Sequence, residues 1–214
     1  MTIGADVDTG GDPTEEPRLF IAVPVPDDVA AVIADVVERV RAVATPAGGR
    51  DVRWVRLDGL HITLRFLGPT PQDRVSAVAE ATYSAAADTR PFDIVLGRAG
   101  TFPETRRPRA LWIDILDGVA DLDAAAQRVD AELRRRGWEL DDRSFRGHLT
   151  LARADGVRAG SAIAARLKEA AEQLELRFTA DRIVLFESIT GGGRARYVPV
   201  GVASLGIGHP AGEA

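Results

Sequence analysis

The chain has 214 residues, of which 45% are hydrophobic and 28% are charged, and it contains three histidines and no cysteine. The lack of cysteine excludes disulfides, thiolate nucleophiles, iron–sulfur clusters and cysteine-ligated zinc sites, while the length suffices for one large domain or two small lobes. The formal net charge of −5 by itself argues against a polyanionic partner. No segment reaches the roughly 20 apolar residues of a membrane span, and the chain does not begin with a secretory signal, so we expect a soluble, cytoplasmic protein.

Both ends of the sequence have the composition of tails. Residues 1–17 carry five acidic and no basic side chains and show no apolar periodicity, which predicts a disordered acidic tail. A second, shorter tail is predicted over 209–214, where Glu213 is the one acidic residue. The segment 18–208 therefore holds 26 acidic and all 27 basic residues. Its near-neutral charge no longer opposes a phosphate-bearing ligand, although it does not favour long RNA either.

Between the tails, strand-like and helical patterns alternate. In the first half we predict a strand over 18–25, a helix from Asp27 or Asp28, an apolar segment near Trp54, a strand over 61–67, a helix over 71–87 and a strand over 92–96. In the second half we predict a strand over 110–115, a helix from Val119 to Gly137, a strand over 145–151, a helix over 161–174, a strand over 176–186 and a strand over 197–205 that pairs back across the Gly191–Gly193 turn.

The same order of elements thus occurs over about 18–100 and about 109–205, which indicates an internal duplication. Two adjacent α/β lobes with coincidental spacing are the alternative. Taken alone, the alternation of strands and helices would suggest a doubly wound parallel sheet.

One short motif occurs in each half: His61-Ile62-Thr63-Leu64 and His148-Leu149-Thr150-Leu151. Because strand side chains alternate between faces, the histidine and threonine share one face while the apolar residues enter the core. If an approximate twofold axis relates the halves, both pairs face one cleft. A single histidine of this kind is more often a satisfied core residue, but two in equivalent strands favour a functional site. His209 lies in the tail, and we expect it to be inert.

Two imidazoles and two hydroxyls around one small ligand suit displacement at phosphorus. A neutral imidazole can deprotonate water, a protonated one can deliver a proton to the departing oxygen, and the hydroxyls can hold the non-bridging oxygens. Two histidines on separate strands without an accompanying carboxylate do not make a zinc or iron site, and no serine lies in a nucleophile-elbow pattern. We therefore expect neither a metal nor a cofactor.

The two motifs lie 87 residues apart, and further segments accompany them: RLFIAVPVP at 18–26, WVRLDGLHITLRFLG at 54–68, HLTLAR at 148–153, and FES at 186–188 followed by Tyr197. Together they resemble the RNA 2′,3′-cyclic phosphodiesterases of the two-histidine (2H, LigT-like) phosphoesterase superfamily. The resemblance covers about 18–205. It implies an α+β fold in which two pseudo-twofold-related lobes line a central cleft with mainly antiparallel sheets, as a single bilobal domain over 18–208 with interleaved lobes.

The resemblance also implies metal-independent hydrolysis of 2′,3′-cyclic phosphates, on RNA 3′ ends or small nucleotides, to 2′-phosphates. In the family pattern, His61 is the proton donor and His148 the proton acceptor, while Thr63, Thr150 and Arg153 bind the phosphate. The family usually has proline before the second histidine, where this chain has Gly147, and glycine relaxes the backbone that aims the imidazole. We expect a monomer.

Two more residues are candidates for substrate contacts. Arg65 is four residues from His61, so strict alternation places both on one strand face, although a surface arginine is a comparable explanation. Phe20 could stack on a base, although core packing accounts for it as well. Two other functions stay open: 2′–5′ RNA ligation, in which a 5′-hydroxyl replaces water, and an RNA-end-binding module whose histidines only hold the phosphate.

Overall fold

The computed structural model describes residues 16–44, 52–104, 107–141, 145–154, 158–190 and 195–206. Its helices and strands are β1 Arg18–Pro24, α1 Asp27–Ala44, β2 Arg53–Trp54, β3 His61–Pro69, α2 Val75–Ala87, β4 Phe92–Phe102, β5 Ala110–Asp117, α3 Val119–Arg135, β6 Leu149–Arg153, α4 Arg158–Ala170, β7 Leu176–Ala180, β8 Arg182–Ile189 and β9 Arg196–Ser204. Within these ranges, no helix combines the length and apolar character needed to cross a membrane.

The strands form one nine-stranded sheet in the order β7-β4-β5-β6-β3-β1-β8-β9, with β2 attached to β6. Every ladder between the described strands is antiparallel. The predicted antiparallel α+β fold is therefore confirmed, and the parallel sheet that the alternation alone suggested is wrong. Alternation does not determine strand direction here: α1 follows β1 in the chain but packs against α4 and against β7 at the far edge of the sheet.

The strand order is symmetric about the seam between β3 and β6. Moving outward from the seam, β1, β8 and β9 on one side correspond to β5, β4 and β7 on the other. The helices cross this seam: α1 packs against α4 and β7, and α3 packs against α2 and β3. At the seam, Ile62 of β3 is the register partner of Leu149 of β6, so the two halves meet at the two motifs.

Burial determines which way the motif strands face. Ile62 and Leu149, the residues between histidine and threonine in each motif, are both completely buried. A register shift of one residue would exchange the two faces of a strand and bring the histidine and threonine into the core. The hydrophobic core therefore keeps both pairs of polar side chains on the opposite face.

Several predicted boundaries differ from the structure. The strand predicted to end at 96 continues to Phe102, because Arg98 takes a left-handed conformation (φ 55°) at a register shift after which pairing with β5 resumes. The strand predicted over 176–186 is two strands that part at Asp181, since β7 pairs with β4 and β8 with β1. The strand predicted over 145–151 begins only at Leu149. The Gly191–Gly193 turn and the tails, apart from Glu16 and Pro17, lie outside the described residues.

Candidate active site

The register at the seam places the two motifs side by side. Since Ile62 pairs with Leu149, antiparallel geometry sets His61 beside Thr150 and Thr63 beside His148. Directly opposed residues point to the same face of a sheet, and diagonal neighbours such as the two histidines have Cα atoms about 7–8 Å apart. His61, Thr63 and Thr150 line a pocket of about 160 Å³ over this seam. The register thus brings the two motifs together, although His148 itself is not among the residues that line this pocket.

The backbone orients both imidazoles in the same way. Nδ1 of His61 lies 2.7 Å from the carbonyl oxygen of Gly59, and Nδ1 of His148 lies 2.8 Å from that of Arg146. A carbonyl oxygen only accepts, so each Nδ1 carries the hydrogen and donates it. Proton exchange with a ligand is left to Nε2 of each ring. Each histidine is therefore held by the carbonyl two residues before it.

Three aromatic rings surround His61. The ring centroids of Phe20, Tyr197 and Phe186 lie 4.7, 4.9 and 5.9 Å from that of the imidazole. Burial lowers the pKa of His61 below its ordinary value of 6.5, and the hydrogen bond to the Gly59 carbonyl opposes this only in part. Without a ligand, the neutral form of His61 is favoured.

His148 has a more open position. It lies just before β6, not within the strand as predicted, and it is partly exposed. Its ring centroid is 6.1 Å from that of Trp112, with the rings inclined at 64°. The Arg146 guanidinium carbon lies 5.8 Å from the same indole.

A β-bulge follows the threonine in each motif. The extra residue is Leu64 in β3, opposite β1, and Leu151 in β6, opposite β5. A bulge sets two residues against one on the partner strand and thereby reverses the alternation of faces beyond it. The residue five positions after each histidine therefore faces the pocket, and the residue four positions after it does not.

The bulge at Leu64 changes the position expected for Arg65. Its guanidinium pairs with Asp130 of α3, with Nε 2.7 Å from one carboxylate oxygen, and its Nη1 lies 2.9 Å from Asp141. It lines a separate groove of about 880 Å³ between α3 and the segment before β6. The expectation that Arg65 shares the face of His61 is wrong, because it assumed unbroken alternation.

Arg153 and Phe66, each five residues after a histidine, both line the pocket of about 160 Å³. Arg153 was expected there from the family pattern. Phe66, which is 54% exposed, was missed because strict alternation assigns it to the opposite face. Phe66 holds the position in the first motif that Arg153 holds in the second, and this equivalence could have identified Phe66 from the sequence.

Phe20 lies beneath the imidazole of His61. Only 3% of its surface is exposed, and it stacks on Phe186 with ring centroids 5.2 Å apart. It therefore supports the imidazole and offers no open face to a base. Tyr197 is another of the rings around His61. Burial raises the pKa of its hydroxyl, and the charge of Arg153 partly opposes that rise. The phenol accordingly stays protonated near neutral pH.

Positive charge collects on this part of the sheet. Arg153 is the register partner of Arg53 in β2, so two guanidinium-bearing residues face each other across the ladder. Arg153 lines the pocket, and its positive charge suits a phosphate ligand. Among the residues that the structure describes, no three His, Cys, Asp or Glu side chains gather in a way that could hold a metal ion.

Sequence comparisons point to one family. The family model described as the 2′-5′ RNA ligase superfamily matches residues 25–192. An RNA 2′,3′-cyclic phosphodiesterase of Archaeoglobus fulgidus is 29% identical over 136 residues, which cover 64% of this chain and 72% of that protein. That of Methanocaldococcus jannaschii is 25% identical over 171 residues, or 80% and 91%. A Geobacillus stearothermophilus relative of the same name is 36% identical over 100 residues, 47% of this chain but only 32% of the relative's length.

Solved structures share the fold. A Thermus thermophilus protein superposes with a TM-score of 0.68 at 24% identity, covering 90% of this chain and 100% of its own. Escherichia coli LigT, in a complex with 3′-AMP, superposes with a TM-score of 0.64 at 23% identity, covering 89% and 99%. At these identities the likeness establishes the architecture alone. With the family model spanning most of the chain, the resemblance drawn from the two motifs is confirmed, and the chain belongs to the 2′-5′ RNA ligase superfamily of two-histidine phosphoesterases.

Proposed function

We propose that this protein is a hydrolase that opens 2′,3′-cyclic phosphates, on RNA 3′ ends or small nucleotides, to give 2′-phosphates. The observation that carries the proposal is the register at the seam, in which Ile62 pairs with Leu149. That register sets His61, Thr63 and Thr150 around one small pocket and brings His148 to the position beside Thr63, next to that pocket. The names of the curated relatives support the same activity.

In the proposed reaction, Thr63, Thr150 and Arg153 hold the phosphate oxygens. A water molecule attacks phosphorus, and Nε2 of His148 accepts a proton from it as the new P–O bond forms. The P–O3′ bond breaks, and Nε2–H of His61 delivers a proton to the departing 3′-oxygen. The product has a 2′-phosphate and a 3′-hydroxyl, and the two histidines return to their starting states by exchanging protons with solvent.

The proton donor must be charged, whereas burial lowers the pKa of His61. A phosphate anion in the pocket acts in the opposite direction, because a nearby negative charge favours the imidazolium. Binding of the substrate and protonation of His61 are then linked. This coupling makes the acid available when a substrate is present, and it makes phosphate binding tighter as the pH falls toward the pKa of His61.

The decisive experiment incubates the protein in EDTA with a nucleoside 2′,3′-cyclic phosphate and identifies the product by ³¹P NMR. We expect the 2′-phosphate, formed with a bell-shaped dependence on pH. Absence of product at every pH from 5 to 8, or release of the 3′-phosphate, contradicts the proposal. The His148→Ala variant tests the RNA-end-binding alternative: a catalyst loses turnover and keeps much of its affinity, whereas a binding module has no turnover to lose.

The family model's description keeps 2′–5′ RNA ligation as a second candidate. Ligation would use the same site in reverse, with a 5′-hydroxyl in the position of the attacking water. Supplying an RNA that bears a free 5′-hydroxyl together with the cyclic-phosphate substrate measures this activity, and a 2′–5′ linked product identifies it. We expect hydrolysis to dominate, since water is present at a far higher concentration than any RNA end.

The proposal includes a monomeric, cytoplasmic enzyme that works without a cofactor. Light scattering tests the first part, and activity after dialysis against a chelator tests the last.

A further inference from the structure

The pocket over the seam is too small for a whole nucleotide. It encloses about 160 Å³, whereas pockets that take drug-sized ligands enclose about 300–1,000 Å³. A cyclic phosphate with the adjoining edge of its ribose fits that space. The base leaves the ribose beside the 2′-oxygen, and the chain toward the 5′ end leaves it beside the 3′-oxygen, so the two extend from the pocket on different sides. An RNA substrate therefore places the nucleotide before the cyclic phosphate on the sheet surface beyond the pocket.

A row of paired residues leads away from the pocket across the second half of the sheet. Arg153 of β6 lines the pocket and is the register partner of Ala110 in β5, and Ala110 is the partner of Phe102 in β4. Directly opposed residues point to the same face of a sheet, so Phe102 shares the face of the pocket. Adjacent strands are about 4.8 Å apart, so the backbones of Arg153 and Phe102 are separated by roughly 10 Å.

Phe102 is the most exposed large hydrophobic residue in the part of the chain that the structure describes, at 61%. Hydrogen bonds fix its backbone nonetheless. Its carbonyl oxygen accepts a hydrogen bond of 2.8 Å from the amide of Arg109, and the carbonyl oxygen of Arg109 accepts one of 2.9 Å from the amide of Ala154. An exposed aromatic ring on a fixed strand end is the kind of surface on which single-stranded nucleic acids stack their bases.

The equivalent row in the first half of the sheet is filled. There Phe66 of β3 is the partner of Phe20 in β1, and Phe20 is the partner of Phe186 in β8. The ring of Phe20 stacks on that of Phe186, with centroids 5.2 Å apart, so it covers the aromatic residue that corresponds to Phe102. In the second half Ala110 takes the place of Phe20, and a methyl group cannot cover Phe102 in this way.

The charge along this row suits the sugar–phosphate backbone of RNA. Arg153 carries positive charge at the pocket end, and the exposed Arg107 and Arg109 lie in the β4–β5 hairpin at the other end. Glu104 is the one acidic side chain among the described hairpin residues 102–104 and 107–110. A phosphodiester group between the two ends of the row is therefore close to positive charge, and contacts of this kind commonly position nucleic acids on proteins.

We propose that Phe102 forms a second subsite, on which the base of the nucleotide preceding the cyclic phosphate stacks, and that the enzyme therefore favours RNA 3′ ends over single nucleotides. The inference rests on the proposed function, because the cyclic phosphate in the pocket is what sets the preceding nucleotide over Ala110. Each base has a π face, so stacking accepts any base at this position. The subsite selects for chain length and not for sequence.

Steady-state kinetics compare adenosine 2′,3′-cyclic phosphate with the dinucleotide ApA that ends in a 2′,3′-cyclic phosphate. Base–aromatic stacking is worth about 1–3 kcal/mol per base, which corresponds to about a 5- to 150-fold change. We expect the wild type to have the higher kcat/KM on the dinucleotide, and Phe102→Ala and Phe102→Leu to lower that value within this range. On the single nucleotide both variants should match the wild type. Phe102→Trp should keep the advantage of the dinucleotide.

Three controls separate stacking from charge and from a general effect on the protein. A dinucleotide without the base of its first nucleotide keeps the phosphodiester charge, and Phe102→Ala should not slow its hydrolysis. Ala110→Leu fills the space between pocket and ring without adding an aromatic face, and should lower kcat/KM for the dinucleotide alone. Val202→Ala removes another exposed apolar side chain, 53% exposed on β9 and absent from the pocket lining, and should change neither value. Circular dichroism checks folding, and Ala110→Leu provides a second readout if Phe102→Ala is not folded.

A binding measurement keeps this inference separate from the proposed activity. Calorimetry in EDTA compares adenosine 2′-monophosphate with ApA that ends in a 2′-phosphate. If the wild type binds the dinucleotide more tightly and Phe102→Ala loses that difference, the second subsite stands even where no hydrolysis occurs, and only the proposed function fails.

Other results would overturn the second subsite and leave the hydrolase in place. One is hydrolysis of both substrates with equal kcat/KM by the wild type. Another is a Phe102→Ala variant that keeps the advantage of the dinucleotide. A third is a wild type that is a dimer in light scattering while Phe102→Ala is a monomer, which would identify the ring as a contact between two copies of the chain.

Discussion

His61 lies within a shell of three aromatic rings, whereas His148 precedes its strand and, among the described residues, has a ring contact only with Trp112. Their backbones nevertheless match: in both motifs Nδ1 donates to the carbonyl two residues before, and a bulge follows the threonine. The repeated backbone provides the geometry of the site on both sides of the seam. The surroundings, which are not repeated, leave His61 more enclosed than His148, and this enclosure lowers the pKa of His61.

The largest predicted effect comes from removing either histidine. His61→Ala and His148→Ala should each reduce kcat by about 10²- to 10⁴-fold, the usual contribution of a positioned acid or base. Substrate affinity should change much less, because the threonines and Arg153 remain. Rates from steady-state kinetics and dissociation constants from calorimetry measure the two effects separately.

The leaving group distinguishes the two roles. Nitrophenolate departs without protonation, so His61→Ala should recover most of its activity on a nitrophenyl phosphodiester, while His148→Ala should stay inactive on it. Equal losses for both variants on this substrate would show that the assignment of donor and acceptor is wrong. Recovery by His148→Ala alone would reverse the assignment.

The next prediction compares two arginines: Arg65, four residues after His61, and Arg153, five residues after His148. Arg153→Met should lower kcat/KM by about 10- to 150-fold, because a hydrogen bond to a charged group contributes about 1.5–3 kcal/mol. Arg65→Met should leave kcat/KM close to the wild-type value. It should instead destabilise the protein by up to about 3 kcal/mol, the lower end of the range for breaking a buried pair, because Arg65 and Asp130 are partly buried, each 14% exposed.

Denaturant unfolding and steady-state kinetics on both variants check this contrast. The opposite result, a folded Arg65→Met variant with impaired catalysis and a fully active Arg153→Met variant, would mean that the bulges do not orient these side chains as described.

The motifs could be found from the sequence because they depend on local chemistry. A histidine and a threonine at alternate positions with apolar neighbours specify a half-buried strand face, and Ile62 and Leu149 are indeed buried. The sheet order could not be found in this way, since it depends on α1 and α3 crossing the seam, a matter of tertiary packing. The bulged residues, Leu64 and Leu151, look like ordinary strand residues.

Those two unmarked bulges explain the errors at the site itself. Without them, counting along β3 puts Arg65 in the pocket and Phe66 outside, which is the reverse of the structure. The family pattern identified Arg153 correctly as a pocket residue. That pattern already includes the effect of the bulge on the side chain's direction, because it does not rely on counting alternate residues along the strand.

A third, smaller effect concerns the glycine before the second histidine. A Cβ at Gly147 would lie 2.8 Å from Cδ1 of Ile115, closer than real Cβ contacts. Gly147→Ala should therefore cost about 1–3 kcal/mol, the usual penalty for overpacking. Ile115→Val removes the conflicting atom, so the double variant should regain most of that loss. Thermal unfolding of the two single variants and the double variant measures the coupling, and additive losses would show that Ile115 is not the obstacle.

The smallest expected effect is a shift in the pKa of His61. Measuring this shift tests the difference between the surroundings of the two histidines most directly. NMR titration, assigned with the two histidine variants, should show His61 protonating below 6.5, because burial disfavours its charged form. Tyr197→Ala admits water to the aromatic shell and should move this pKa back toward 6.5. The control variant Val202→Ala, which removes an exposed side chain of β9 outside the pocket, should not change it.

The same shift has a consequence for stability. The unfolded chain binds a proton at His61 more readily than the folded one does, so stability is lost as the pH falls from about 6.5 through the lower folded pKa. His61→Asn should lessen this loss. Adding inorganic phosphate should raise the pKa of His61 in the wild type, since an anion in the pocket favours the imidazolium. If the pKa does not respond to phosphate, substrate binding does not charge the proton donor, and the acid must be supplied by the fraction of His61 already protonated in the free enzyme.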